Sequence, residues 1–449
     1  DGIFIDELTG NLTIGTVHTI ENVSLRTVDG SILDAEGDDH VGETDPNLFA
    51  DVMGQTIDLD ANGSNADIGA SGNDLEIDSR RASAAVGLND TGDDVALEAT
   101  RNIYLTETDQ ELRLILAHTY EGEIRLTVRD SGDHDEDLEL INNGSARFAE
   151  SNNRLPGEQT DADRIIANGT IFAENGSVTL YVGDNIEFDA NANVLAKGSI
   201  SIYGDANATD GTLSASDPDE NFGSTIILRG RIIANADVTS GKQIGEPAMG
   251  TAQPTYTEPE GVLTEIFGND DVDTIQFGDP TGSAGGTTPN SDGYIFLGSK
   301  TRAYGSQDDT DSTGKDGEDR FFVYYLQDTT TQTGPNVTTV AEHTLTLDGQ
   351  ADTDYYEVHT LGSQGDPRNY VINVLDTGAE DDGVDQLTIF GFDSTQNGDS
   401  YATDDIFLMR AAAYLPHETA DRPGYVALLH GNLGEYQDVV QSNEDSNEV

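Results

Sequence analysis

Gly176-Ser177-Val178-Thr179-Leu180-Tyr181-Val182 is followed by Gly198-Ser199-Ile200-Ser201-Ile202-Tyr203 and then by Gly223-Ser224-Thr225-Ile226-Ile227-Leu228. In each phrase a Gly-Ser pair opens a short run with apolar residues at alternate positions. Period-two alternation puts those side chains on one face of an extended strand. The three glycines stand 22 and then 25 residues apart. Twenty-odd residues make one coil of a β-solenoid, with about three short strands and three turns. One coil cannot bury its apolar face alone, so coils stack and share a continuous core. The expected fold class is therefore all-β: an elongated right-handed parallel β-helix with acidic, Gly/Asp-rich turns. A chain of β-sandwiches would also show short alternating strands. The return of Gly-Ser-x-apolar at coil length favours the solenoid.

Working outward, Phe321-Phe322-Val323-Tyr324-Tyr325 and Tyr370-Val371-Ile372-Asn373-Val374 have the same strand character. Helical periodicity is nearly absent; its best candidate, near Ile406 to Leu415, is short and ends before Pro416. A longer echo is also visible. Ile3-Phe4-Ile5-Asp6-Glu7 returns 100 residues later as Ile103-Tyr104-Leu105-Thr106-Glu107, and His18-Thr19 as His118-Thr119. Pro, Thr and Glu crowd together between Glu246 and Gly261. This divides the expectation into a solenoid over 1–245, a linker or long loop over 246–261 and a second solenoid segment over 262–449.

Composition fits a thin core. Hydrophobic residues are 35% of the 449, below the roughly 45–50% usual for globular chains, a benchmark that also counts glycine. There are 85 Asp and Glu against 21 Lys and Arg, a net charge of −64. That balance argues against nucleic acid as a partner, since phosphate binding needs clustered cations. A compact fold with so many carboxylates needs counter-cations, either held in sites or supplied by a salty medium. No cysteine is present, which removes disulfides, thiol catalysis and soft-metal sites. No apolar run approaches the roughly 18 residues of a membrane span. The chain opens at Asp1 without a basic and apolar leader, which suggests a processed or excerpted chain.

Acidic turns before strands are the candidate chemistry. Gly314-Lys315-Asp316-Gly317-Glu318-Asp319-Arg320-Phe321 fits Gly-x-x-Gly-x-Asp-x-apolar, the centre of the nonapeptide calcium repeat. Gly268 to Ile275 keeps the first glycine, Asp273 and the apolar residue; Gly349 to Tyr356 does the same with Asp354, and Gly383 to Leu387 keeps the last half with Asp385. Such a turn offers backbone carbonyls and a carboxylate to a hard cation, and calcium takes six to eight oxygens. The expected ligands are Asp270, Asp271, Asp273, Asp309, Asp311, Asp316, Glu318, Asp319, Asp352, Asp354, Asp382 and Asp385. One difficulty is plain: Asp273, Asp319, Asp354 and Asp385 are 46, 35 and 31 residues apart, not nine. Ordinary Asp/Gly turns are the competing reading. An EF-hand fits poorly, because Thr313 and Arg320 fall at its fifth and twelfth positions if Asp309 is its first.

No catalytic constellation emerges. Paired carboxylates are everywhere and discriminate nothing, the four lysines at 197, 242, 300 and 315 do not cluster, and no Gly-x-Ser-x-Gly elbow occurs. Asn-x-Ser/Thr triplets such as Asn175-Gly176-Ser177 are better explained as turns.

Gly10-Asn11-Leu12-Thr13-Ile14-Gly15, Gly30-Ser31-Ile32-Leu33-Asp34-Ala35 and Thr344-Leu345-Thr346-Leu347-Asp348-Gly349 resemble phrases of giant bacterial surface proteins. Those proteins carry filamentous-haemagglutinin-like repeats, often behind a LEPR-XLL-type leader. The resemblance implies a secreted, extracellular or cell-surface solenoid with degenerate haemolysin-type calcium turns and no catalytic residue to transfer. The expected partners are calcium, further copies of the chain joined end to end, and, for an adhesin or carbohydrate-binding stalk, surface glycans. An exposed row of aromatics or polar residues on one face would favour the stalk.

Overall fold

The structure is a computed structural model. It describes residues 2–35, 50–79, 94–131, 135–142, 168–209, 211–214, 222–237, 242–243, 263–269, 271–280, 295–306, 317–324, 326–327, 344–360, 371–375, 377, 384–391, 407–411 and 424–428. All regular elements among them are strands. Two long parallel sheets, of seventeen and eleven strands, run the length of the stack. The architecture is the parallel β-helix.

One coil shows how it is built. Val178–Val182 lies in the eleven-stranded sheet; Ile186–Phe188 and Asn193–Ala196 follow in the seventeen-stranded sheet. The next coil repeats this with Ile200–Tyr203, Thr225–Leu228 and Gly230–Ile233, each paired in parallel with its counterpart. Inward positions carry Ile, Val, Leu and Phe, and one buried cluster extends from Ile14 to Val358. Each buried branched side chain contributes about 1.5–3 kcal/mol. Outward alternates such as Thr179, Glu187 and Ser201 are polar, the period-two pattern seen in the sequence, while Tyr181, Leu195 and Ile227 are apolar exceptions.

The shortest coils are about twenty residues long. Ile3 pairs with Val23, Ile103 with Ile124 and Val178 with Ile200. Others are far longer: Ile200 pairs with Thr264 and Thr301 with Leu345. The strands on either side of the longer stretches still meet in register. The stretch 246–261 lies outside the described residues, yet Ile200–Tyr203 before it pairs directly with Thr264–Phe267 after it.

Three expectations are corrected. The Gly176 and Gly198 phrases do stack, with Val178 beside Ile200 and the Gly198 N–H donating to the Gly176 carbonyl at 2.7 Å. The Gly223 phrase instead opens a strand of the other sheet, paired with Ile186–Phe188. The 100-residue echo also joins unlike faces, since Gly2–Glu7 belongs to the seventeen-stranded sheet and Ile103–Glu107 to the eleven-stranded one. An alternating strand after a tight turn looks the same on every face, so sequence similarity does not reveal which sheet it enters. Finally, Phe407–Ala411, inside the best helix candidate, is a strand in an antiparallel hairpin with Gly424–Leu428.

Candidate metal centre

Four of the expected ligands come together at one corner. Asp273, Asp319, Asp354 and Asp385 each stand one residue before a strand of the seventeen-stranded sheet, and the pairing of those strands puts them in register. Their separations of 46, 35 and 31 residues are coil lengths. Each carboxylate reaches along the axis to the preceding coil. Asp319 Oδ1 accepts the Asp273 N–H at 2.8 Å, Asp354 Oδ1 the Asp319 N–H at 2.9 Å, and Asp385 Oδ1 the Asp354 N–H at 3.1 Å. Asp273 Oδ1 accepts both the N–H and the hydroxyl of Ser224, at 2.6 and 2.9 Å. Asp273, Asp319 and Asp354 are at most 1% exposed.

The column continues upstream, where sequence reasoning missed it. The pairing of Ile226 with Ile186 and of Ile186 with Leu138 places Asp184 under Ser224 and Glu136 under Asp184. Asp184 Oδ2 accepts the Glu136 N–H at 2.8 Å. Burial holds Glu136 above the ordinary carboxylate range, with Asp184 adding to the rise and the Ser131 hydroxyl opposing it. A signal was available: an acid two places before the first buried residue of the strand, in Glu136-Asp137-Leu138, Asp184-Asn185-Ile186 and Asp273-Thr274-Ile275 alike. Glycine spacing drew the reading away from it.

A glycine column faces the carboxylates. Gly268, Gly305 and Gly349 end successive strands of the eleven-stranded sheet, and a Cβ on each would meet Oδ2 of Asp273, Asp319 or Asp354 at 2.1, 1.6 or 1.9 Å. Only glycine lets the acid tuck in. Between glycine and acid the turns share a backbone: Asn269 and Asp271 have φ of 80° and 65°, Gln350 and Asp352 of 72° and 70°. These are the second and fourth places of Gly-Gly-x-Gly-x-Asp, where the nonapeptide repeat has glycine. The left-handed conformation survives although the glycines do not, as Asn and Asp tolerate it best. Asp271 and Asp352 therefore shape the turn; Glu318 points outward and is exposed. Asp270, Asp309, Asp311, Asp316 and Asp382 lie outside the described residues.

The donor set is all oxygen, which suits a hard cation. Neighbouring coils are about 4.8 Å apart. At that distance and an effective dielectric near 20, two like charges repel by roughly 3 kcal/mol. A buried column of carboxylates therefore favours protons or cations along it.

The aromatic row also exists. Tyr181, Tyr203, Phe267 and Tyr304 occupy one outward position of the eleven-stranded sheet, with ring centroids 5.0, 4.8 and 5.1 Å apart and planes within 25°. Each ring covers the next, so the row presents mainly edges to solvent. A sugar ring packs on an aromatic face, and here the faces are turned to one another.

Comparison with known proteins brings no neighbour: no family model, curated protein or solved structure matches the chain.

Proposed function

We propose that the chain is a non-enzymatic, calcium-binding structural segment of an extracellular bacterial surface or matrix protein. The observation that carries this reading is the in-register column from Glu136 to Asp385, buried from Glu136 to Asp354 and interrupted only by Ser224 between Asp184 and Asp273. Asp273, Asp319 and Asp354 would hold the ions, with oxygens of the Gly268–Asp271 and Gly349–Asp352 turns beside them. Bound calcium would offset repulsion in a chain of net charge −64 and tie each coil to the next. The left-handed turn positions support the resemblance to haemolysin-type calcium turns, and that resemblance supports the extracellular setting.

Self-association belongs to the same proposal. The first coil leaves Phe4 67% exposed and the inward-facing Ile3 and Ile5 only half-buried. Leu387, in the last described strand of the seventeen-stranded sheet, is 45% exposed although it stands at a core position. Coils of a parallel stack present strand edges along its axis, and such edges invite pairing with a further coil. The adhesin reading is weaker, because the aromatic row spends its faces on itself.

Thermal melting of the chain in calcium, against sodium chloride of matched ionic strength, tests the calcium reading. Site binding adds RT ln(1 + [L]/Kd) to stability, so the midpoint should climb further in calcium. An equal response to sodium would leave only general screening and sink the proposal.

A further inference from the structure

Near the opposite end of the stack, well away from the four expected column ligands, three acids from different strands converge. Asp34 ends the strand Ile32–Asp34, Asp51 precedes Val52–Met53, and Glu76 lies within Leu75–Asp78. The last two strands pair with Val52 beside Ile77 and Met53 beside Asp78, which sets Asp51 against Glu76. The Asp51 N–H donates to the Glu76 carbonyl at 2.9 Å. One carboxylate oxygen from each of the three residues lies within 4.8 Å of the others, the one such group among the described residues.

The second observation is the state of Asp51 itself. It is 6% exposed, and its Oδ2 is sealed from solvent and receives no hydrogen bond. The Asp51 carboxyl takes the Glu76 backbone N–H and lies within hydrogen-bonding reach of the Glu76 and Asp34 side chains, which are acceptors when ionised. A buried charged oxygen needs a donor or a cation. The neighbouring His18 turns its Nε2 to the Ala50 carbonyl at 2.7 Å, not to the acids.

We propose that Asp34, Asp51 and Glu76 bind one calcium ion, in a site separate from the corner column. Three carboxylates from separate strands make an all-oxygen donor set, and calcium accepts such a set at flexible geometry. Burial first, and then the charge of Asp34, push the Asp51 carboxyl up to about 7.

Calorimetric titration of the full chain with calcium chloride gives the ion stoichiometry. Asp51→Asn should lose one calcium per chain, and should do so equally in an Asp319→Asn background. Unchanged stoichiometry in Asp51→Asn would overturn the site. Should Asp51→Asn melt early, Glu76→Gln decides by the same count. The two calcium readings fail separately: loss of the calcium-dependent midpoint rise with the Asp51-dependent ion intact counts against the column alone, and the converse against this site alone.

Discussion

The corner column and the Asp34–Asp51–Glu76 group bury the same functional group in different company. From Asp184 to Asp385 each acid of the column is handed a backbone N–H by the coil before it, so Asp319 substitutes for a carbonyl in the ladder of the β-helix. In the group the Asp51 carboxyl also takes a backbone N–H, from Glu76, but the side chains beside it are the acids Glu76 and Asp34. An acceptor at each coil is what the column takes from its side chains; in the group it is the concentration of negative charge that stands out. Asp→Asn separates the two roles, because it keeps one oxygen acceptor and removes the charge.

The largest effect should come from the surface against which the column packs. Gly305→Ala forces a Cβ to within 1.6 Å of Asp319 Oδ2 and 2.8 Å of the Gly349 carbonyl. Overpacking of this kind costs about 1–3 kcal/mol, with the upper end expected where backbone must also move. Gly15→Ala, with nothing within 4 Å of the new methyl, should stay within about 0.5 kcal/mol of the parent. Urea unfolding of the pair checks this, and equal midpoints would show that the glycine column is not sterically required.

Next in size is the ladder itself. Asp319→Ala strips the acceptor from a buried Asp273 N–H, a loss of about 1–3 kcal/mol. Asp319→Asn keeps the acceptor and should cost less without calcium, while reducing the stabilisation that calcium adds. If Asn proves as damaging as Ala in calcium-free buffer, charge rather than acceptance holds the column together and the contrast collapses.

His118 provides a third way to bury an acid, with the cation built in. Its ring is sealed between Glu174, whose Oε1 is 2.9 Å from Nε2, and Glu98, 3.8 Å from Nδ1, and Tyr120 and Phe172 lie against it. Burial pulls its pKa down, but hydrogen bonds and charge from the two glutamates outweigh this and the net shift is upward. A raised histidine stabilises the fold fully below its unfolded pKa of about 6.5, and that contribution disappears as pH rises through the folded value. Calcium-free chain should therefore lose stability on going from about pH 6 to higher pH. Asp51 contributes with the same sign between the ordinary carboxylate range and about 7. His118→Gln should flatten only the histidine part of the slope, as read from melts at stepped pH; an unaltered slope would mean that His118 carries no charge in the fold.

Much of this architecture was legible, and the misreadings share a cause. Strand character and coil length followed from Val178-Thr179-Leu180-Tyr181-Val182 and Ile200-Ser201-Ile202-Tyr203, because alternation and a short return distance are local properties. Register is not local. Ile200 skips 64 residues to reach Thr264, so acids that share a corner are scattered in the sequence, and their irregular spacing looked like evidence against a shared site. Asp51 escaped notice for a related reason: residues 36–49 separate it from Asp34, and Glu76 belongs to the next strand of the sheet. No single stretch of chain contains the group.

The smallest effect concerns the aromatic row and tests its purpose. Offset or stacked rings about 5 Å apart gain roughly 0.5–1.5 kcal/mol beyond the area they bury. Tyr203 stacks on both sides, against Tyr181 and Phe267. Tyr203→Thr keeps a β-branched strand residue and removes both contacts, so a loss of about 1 kcal/mol is expected, with calcium response unchanged because the row and the acid column occupy different faces. Glycan-array binding before and after the substitution distinguishes a spine from a platform. Stability lost with no change in glycan signal makes the row an internal brace of the rod, whereas a glycan signal abolished at unchanged stability would transfer the row to the adhesin reading.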